Sequence, residues 1–274
     1  MSLTWAGVSS DSLGVRVERY PDLNRPQRKM DIFAVPGRNG DLILPQDAWE
    51  NYSQIYEIFA GDGTKGDAPD AFVDVAAWLY APKGYQRLED SYEPDIYRLA
   101  YYQGGLDVAN SISRYGRASV QFNCRPERFL KTGETELSYT PNYSNFNSIT
   151  LTNPTQFPAK PILKVTALGT TETTAAYIVI WPDGINPNSQ DAYLIWFDTP
   201  FSGTMYIDTQ SLNCYDANGN NMNSYVQFVD GGQTSYKFPE LLPGVSYLSA
   251  RYADENDPNT MITSVGIIPN WWTL

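Results

Sequence analysis

The 274-residue chain reads as a mostly β protein of two domains. Three observations carry that reading. Short strand-like runs recur along the whole chain, separated by Pro-Gly, Asn-Gly and Asp-rich turns. Tyrosine is abundant, at 20 residues against 5 methionines, and it suits strands and wet interfaces because its ring packs while its hydroxyl stays hydrogen-bonded. Only one stretch has a helical period.

In order along the chain, Leu13–Arg19 predicts a strand with Leu13, Val15 and Val17 on one face. Lys29–Val35 predicts a second, closed by the turn formers Pro36-Gly37-Arg38-Asn39-Gly40. Extended structure resumes at Asp41–Leu44, and Trp49–Ala60 reads as a longer strand. The helix follows. Pro69 fits a first turn, with Asp67 or Ala68 at the boundary, and Asp67, Asp70 and Asp74 suit the positive end. Phe72, Val75, Ala76 and Leu79 then share one face, and Pro82 and Gly84 stop the helix. Strands are predicted at Tyr85–Glu89 and Asp95–Tyr102, and a hairpin from Leu106 to Cys124 with its turn at Arg114-Tyr115-Gly116.

Arg125-Pro126-Glu127 followed by Lys131-Thr132-Gly133-Glu134 combines a proline, a glycine and a charge shift, as a domain boundary does. The expected domains are residues 1–130 and 131–274. After the boundary, strands follow at the spacing of a sandwich or barrel: Ser148–Thr152, Pro161–Leu168, Ala175–Trp181, Ala192–Phe197, Thr204–Asp208, Tyr225–Phe228, Ser246–Tyr252 and Met261–Ile268. The chain closes on Trp271-Trp272-Thr273-Leu274. Termini usually fray, so two adjacent tryptophans argue for an end that is docked.

The formal charge is −12, and beyond residue 130 the only basic residues are Lys131, Lys160, Lys164, Lys237 and Arg251. Gripping a phosphate backbone needs clustered Lys and Arg. The absence of histidine removes Ser-His-Asp and Cys-His catalysis and imidazole metal ligands. Cys124 and Cys214 match no metal spacing; two buried thiols are the expectation, with a single disulfide the alternative. Ser2–Ser10 has no signal-peptide pattern, and no stretch approaches the about 20 apolar residues of a membrane helix. The sequons at Asn51 and Asn142 then carry no meaning, and synthesis in a cytoplasm is expected.

Four motifs invite chemistry. Gly61-Asp62-Gly63-Thr64-Lys65-Gly66 matches a dinucleotide fingerprint, with Glu89-Asp90 beyond. Asp62, Asp67 and Asp70, however, put negative charge where a pyrophosphate would sit, so a solvated loop is the better reading. Asp216-Ala217-Asn218-Gly219-Asn220-Asn221 is similar to a calcium loop, but its glycine comes too early and a tight turn is preferred. The carboxylate pairs Glu89/Asp90 and Asp254/Glu255 are expected by chance in so acidic a chain. Trp181, Trp196, Trp271 and Trp272 form either a sugar-stacking platform or, preferably, core.

Taken together, a series of short segments resembles the distal tail protein of siphophages. They are Ser10-Asp11-Ser12-Leu13-Gly14-Val15, Val35-Pro36-Gly37-Arg38-Asn39-Gly40-Asp41-Leu42, Ala77-Trp78-Leu79, Leu88-Glu89-Asp90 through Pro94-Asp95-Ile96-Tyr97, and Val120-Gln121-Phe122-Asn123-Cys124-Arg125-Pro126. In the second half they are Leu151-Thr152-Asn153-Pro154-Thr155, Pro161-Ile162-Leu163-Lys164-Val165, Phe238-Pro239-Glu240-Leu241-Leu242-Pro243-Gly244 and Ile268-Pro269-Asn270-Trp271-Trp272-Thr273-Leu274. Two positions depart from the family: Asn270, where Arg is usual, and Ser246, near which Asn is frequent.

The resemblance implies an N-terminal split β-sandwich or barrel-like ring domain with one helix and a β-hairpin, and a C-terminal galectin-like β-sandwich. It further implies a structural virion protein of the tail tip or baseplate, without enzymatic activity or cofactor. Its partners would be further copies of itself in a hexameric ring, the tail tube protein, a tail-tip hub protein and a receptor-binding protein. DNA would pass through the ring without specific binding; separately, the net charge of −12 suggests an acidic wall along which it would slide. Interface residues expected on this reading are Leu106, Val108, Ile112, Tyr115, Val120 and Phe122 of the hairpin, with Trp271 and Trp272 at the terminus. The alternative is a carbohydrate-binding adhesion module of a tail or cell surface.

Overall fold

A computed structural model of the chain describes residues 1–60, 68–112, 115–142, 147–169, 176–197, 199–230, 233–235, 237–252 and 260–274. The chain divides into two compact units, Met1–Phe129 with Leu274, and Leu130–Thr273.

The first unit contains β1 (Leu3–Trp5), β2 (Val8–Ser9), β3 (Val15–Val17), β4 (Arg28–Ala34), β5 (Asp41–Trp49), β6 (Tyr52–Ala60), α1 (Ala68–Tyr80), β7 (Gln86–Asp90), β8 (Ile96–Tyr102), β9 (Val108–Ile112) and β10 (Tyr115–Leu130). One sheet runs in the order β2-β1-β7-β8-β10-β6-β3, with β9 also on β10. Strict alternation makes β6 and β10 its centre. Tyr52, Tyr56, Ile58 and Ala60 on β6 and Ala118, Val120, Phe122 and Cys124 on β10 point to a common core. The helix covers that core with Phe72, Val75, Trp78 and Leu79, while Ala76 on the same stripe is half-buried. Trp78 Nε1 donates to Trp5 O at 3.3 Å. Gly116 permits the close approach of helix and strand, because a Cβ there would lie 2.6 Å from the Phe72 ring.

Two expected strands are shorter than the sequence suggests. Ser10–Leu13 forms a 3-10 turn that ends at Gly14 with φ 69°, so the strand begins only at Val15. Trp49 closes β5 instead of opening the following strand, and β6 starts at Tyr52. In the opposite direction, the strand expected to end at Cys124 runs on, and Arg125–Leu130 is the end of a 16-residue strand. Pro126 is tolerated because a strand end needs no ladder donor at every residue.

The second unit contains β11 (Leu137–Tyr139), β12 (Ile149–Asn153), β13 (Ile162–Gly169), β14 (Ala176–Pro182), β15 (Tyr193–Phe197), β16 (Gly203–Asp208), β17 (Asn213–Asp216), β18 (Val226–Asp230), β19 (Gln233–Ser235), β20 (Gly244–Tyr252), β21 (Thr260–Ile268) and β22 (Trp272–Thr273). Two antiparallel sheets, β11-β21-β13-β16-β17 and β12-β20-β14-β15-β18-β19, enclose one core. Leu163, Val165, Ile207 and Val265 face it from the first sheet, and Ile178, Ile180, Ile195 and Leu248 from the second. The last residues are tied down. Trp271 enters the core, and Leu130 N–H donates to Trp271 O at 2.8 Å. Gly133 lies so close that a Cβ would sit 2.4 Å from Trp271 N. Asn270 takes φ 55°, a left-handed conformation that Asn tolerates better than most residues, and its Nδ2 donates to Lys160 O at 3.0 Å.

Candidate interaction surface

The β4–β5 hairpin is a sheet of two strands, and no third strand pairs with it among the described residues. Its register places Ile32 opposite Ile43 and Phe33 opposite Leu42. Directly opposed residues share a face and successive residues alternate, so one face carries Met30, Ile32 and Ile43 and the other carries Phe33, Leu42 and Leu44. All six are exposed, with Ile32 at 57%, Phe33 at 51% and Ile43 at 55%. A two-stranded ribbon is marginal by itself in water, and contiguous exposed apolar area marks an interaction site. Because both faces are apolar, this hairpin is built to be covered.

The polar dressing of the ribbon is light. Gln46 Nε2 donates to Asp31 Oδ2 at 3.1 Å, Arg28 pairs with Asp47 at 3.9 Å, and the Arg28 guanidinium lies 5.7 Å from the Trp49 ring centre. At the tip, Arg38 N–H donates to Val35 O at 3.2 Å, and Gly37 and Gly40 both take φ 80°. Those two glycines hold a turn that other residues enter only with strain.

The interface residues expected from sequence fall elsewhere. Val120 and Phe122 are 0% exposed and belong to the core of the first unit, so in this chain they are not surface residues. They face inward because β10 alternates strictly and its apolar face lies under α1. Leu106 and Val108 are half-buried against the same core, and Tyr115 stacks on Phe59 at 5.2 Å. Ile112 pairs with Tyr115 through the backbone, and its side chain lies outside the described residues. Trp271 is core in the second unit, and Trp272 stacks on Phe157 at 4.6 Å while its Nε1 donates to Pro158 O at 2.8 Å. The signal for the β4–β5 hairpin was present as two unbroken apolar runs, Ile32–Val35 and Leu42–Leu44, flanking a strong turn.

The four tryptophans of the platform reading are likewise divided. Trp181 lies in a small separate cluster with Val179 and Ala192, and Trp196 stacks on Tyr177 at 4.4 Å. Since Ile178 and Ile180 face the main core, Val179 and Trp181 lie on the opposite side of β14, away from Trp271.

Of the motifs with catalytic overtones, Glu89/Asp90 and the Asp216 turn lie among the described residues, and there they take structural roles. Glu89 bonds Arg87. Asp90 is buried and accepts from Tyr56 Oη at 2.7 Å, Arg98 Nη1 at 3.1 Å, Tyr92 N at 3.0 Å and Glu93 N at 2.9 Å. Glu93 bridges Arg98 and Arg128, both buried. Burial by itself would lower the Arg98 guanidinium, but Tyr56, Tyr52, Asp90 and Glu93 outweigh it and raise it. Burial, then Asp90, pushes the Tyr56 hydroxyl well up. This is a paired and buried ionic cluster.

Asp216 accepts from Asn218 N and Asn220 N at 2.8 Å each, and Gly219 N–H returns to Asp216 O at 3.0 Å. Its carboxylate serves its own turn, and hydrogen bonds from the Asn220 side chain, whose Nδ2 donates at 2.8 Å, and then from the Asn220 backbone N–H hold it below its usual range. Cys124 and Cys214 are free and buried, and burial pushes each thiol up to about 12, far from nucleophilic use. Gly61–Gly66 and Asp254/Glu255 lie outside the described residues. Among the described residues no helix is long and apolar enough to cross a membrane.

No protein-family model and no curated protein matches the sequence. Among solved structures, the chain is similar to the crystal structure of the SPP1 Dit (gp 19.1) protein, described as a paradigm of hub adsorption apparatus in Gram-positive infecting phages. The TM-score is 0.66 at 13% identity, over 97% of this chain and 96% of that one. It is also similar to two structures of the phage p2 baseplate in its activated conformation, with Sr and with Ca. These have TM-scores of 0.42 and 0.41 at 10% identity, over 93% of this chain and 90% of theirs. The first likeness establishes the fold: over nearly its whole length, this chain has the fold of SPP1 Dit.

Proposed function

We propose that the chain is a structural subunit of a phage tail tip. Copies form a hexameric ring that joins the tail tube to the tip or baseplate and surrounds the channel through which DNA leaves. The single observation that carries this reading is the shared fold with a hub adsorption protein across 97% of the chain. The exposed β4–β5 hairpin supports it independently, since a ring subunit must offer its neighbour an apolar surface that the isolated chain leaves uncovered.

On this reading the unit Met1–Phe129 builds the ring. The unit Leu130–Thr273, a galectin-like sandwich, docks receptor-binding or hub components. The formal charge of −12 favours a wall along which DNA slides instead of sticking. No catalytic step is assigned to the chain, and its partners are further copies, the tube and the tip.

Negative-stain microscopy of the purified chain, alone and mixed with purified tail tubes, tests the proposal. Closed rings, free or capping tubes, are the expected result. A chain that forms no ring under either condition and binds glycans through its tryptophans would instead be an adhesion module.

A further inference from the structure

The sequence contains two Asn-Gly pairs, Asn39-Gly40 at the tip of β4–β5 and Asn218-Gly219 in the turn after β17. Such a pair can lose its side-chain amide, because the glycine nitrogen, with no side chain beside it, can close on the Asn Cγ. The two pairs are matched in most respects. All four residues are exposed, the glycines take φ 80° and 81°, and nothing lies within 4 Å of the Cβ that either glycine lacks.

They differ in hydrogen bonding. Gly219 N–H donates to Asp216 O at 3.0 Å, and Asn218 N–H donates to Asp216 Oδ1 at 2.8 Å. Asn220 closes the same turn: its N–H and Nδ2 donate to the Asp216 carboxylate at 2.8 Å each, and Asp216 N–H donates to Asn220 O at 3.0 Å. At the other tip, the bond from Arg38 N–H to Val35 O at 3.2 Å stops short of the pair. Neither Asn39 nor Gly40 makes a hydrogen bond among the described residues. A backbone nitrogen whose proton is held by a carbonyl, in a turn fixed on both sides, is not free to swing onto its neighbour. The Gly40 nitrogen is free.

We propose that Asn39 is a site of spontaneous deamidation in the unassembled chain, and that the fold selects it over Asn218. The Gly40 nitrogen, on losing its proton, attacks Asn39 Cγ. The new C–N bond closes a five-membered succinimide, the Cγ–Nδ2 bond breaks, and the amide leaves as ammonia with the proton. Water then opens the ring at either carbonyl, giving aspartate or isoaspartate at position 39. The tip starts with one charge of each sign, on Arg38 and Asp41, and gains a carboxylate. The isoaspartyl form also lengthens the main chain by one methylene, next to the Ala34–Asp41 pair where the ladder begins. A two-stranded ribbon has little with which to hold its register against that change. The inference is independent of the ring reading.

The purified chain, kept at mildly alkaline pH and sampled over days, tests it. Peptide mapping by mass spectrometry reads each conversion as a gain of about 1 Da, and labelling by isoaspartyl methyltransferase counts the isoaspartate. Asn39 should convert at least roughly tenfold faster than Asn218, because several hydrogen bonds guard the second pair. In denaturant sufficient to unfold the chain, the two should convert at nearly equal rates. Asn39→Gln should abolish the fast conversion, since a glutamine has to close a larger ring. Asp216→Ala frees the second turn and should bring Asn218 to within about threefold of Asn39.

Equal rates in the native chain, or a faster Asn218, overturn the assignment. So does a difference that persists in denaturant, because it would come from the neighbouring residues and not from the fold. An Asn218 that stays slow in Asp216→Ala would reject the hydrogen bonds as the cause.

Discussion

The first unit has two hairpins of opposite character. In β9–β10, the inward residues Ala118, Val120 and Phe122 are buried, and the outward residues of β10, Arg117, Ser119 and Gln121, are polar. In β4–β5, apolar residues occupy both faces and all of them are exposed. A ribbon with one apolar face has found its partner inside the chain. A ribbon with two has not among the described residues, and on the proposed reading its missing contacts come from another copy. Strand alternation would then separate what stabilises the monomer from what assembles it.

The sharpest way to break this contrast is to truncate one phenylalanine from each hairpin. Phe122→Ala empties a site lined by Trp5, Tyr56 and Tyr102, whose ring centres lie 4.9, 6.1 and 5.6 Å away. It should cost about 3–5 kcal/mol in denaturant unfolding. Phe33→Ala should change the same midpoint by less than about 0.5 kcal/mol, yet remove assembly. Equal losses from the two variants would mean that β4–β5 packs within the monomer.

The ion pairs repeat the contrast at slightly lower cost. Arg98→Ala strands the buried Asp90 and leaves Glu93 bound to Arg128 alone. Breaking such a pair costs about 3–5 kcal/mol, the lower end applying where Tyr56 still donates to Asp90. Arg28→Ala on the exposed hairpin loses a pair worth about 0–1 kcal/mol. Circular dichroism melts of the two variants read the difference directly.

Much of this was legible in the residues. The helix face Phe72, Val75 and Leu79 and the strands Ile162–Gly169 and Thr260–Ile268 follow from period and turn chemistry, because burial on one side imposes the period. The interaction surface was less so. The Leu106–Cys124 hairpin is expected at an interface only through the family resemblance, whereas its own alternation is clean, and clean alternation is the mark of a core strand. Asp90 looked like one of many surface acids, since nothing local announces that Arg98, Tyr56 and two backbone N–H groups converge on it across three strands. Long-range pairing is invisible to spacing.

Alkaline titration sharpens the comparison through a group that only one hairpin has. The Cys124 thiol on β10 is raised from about 9 to about 12 by burial. The native state then keeps a proton that the unfolded chain releases, so its stabilising contribution is complete below about pH 9 and is lost as pH rises towards 12. The loss approaches about 4 kcal/mol, at about 1.4 kcal/mol per pH unit. Tyr56, raised by burial and Asp90, adds to the slope above about pH 10. Cys124→Ala should flatten the stability profile over that range whatever it does to the plateau. An unchanged slope would show that the thiol does not govern it. The second unit carries its own buried thiol, Cys214, and should keep its slope in the same variant.

The smallest expected difference lies in two glycines, one from each hairpin, and it separates crowding from conformation. At Gly116 on β10, an added Cβ would come within 2.6 Å of the Phe72 ring and 2.9 Å of Val108, so the helix has to move away from the sheet. Gly116→Ala should cost about 1–3 kcal/mol by overpacking. At Gly40 in the β4–β5 turn, nothing lies within 4 Å of the added atom, and the only objection is φ 80°. Gly40→Ala should therefore strain the turn by about 1–2 kcal/mol. Because the hairpin contributes little to the monomer, most of that strain should relax by local fraying. Hydrogen exchange distinguishes the two: faster exchange confined to β4 and β5 for Gly40→Ala, and spread over α1, β6 and β10 for Gly116→Ala. If Gly40→Ala instead loosened β6 and β10, the hairpin would be part of the folding unit, and its two apolar faces would need another explanation than a partner.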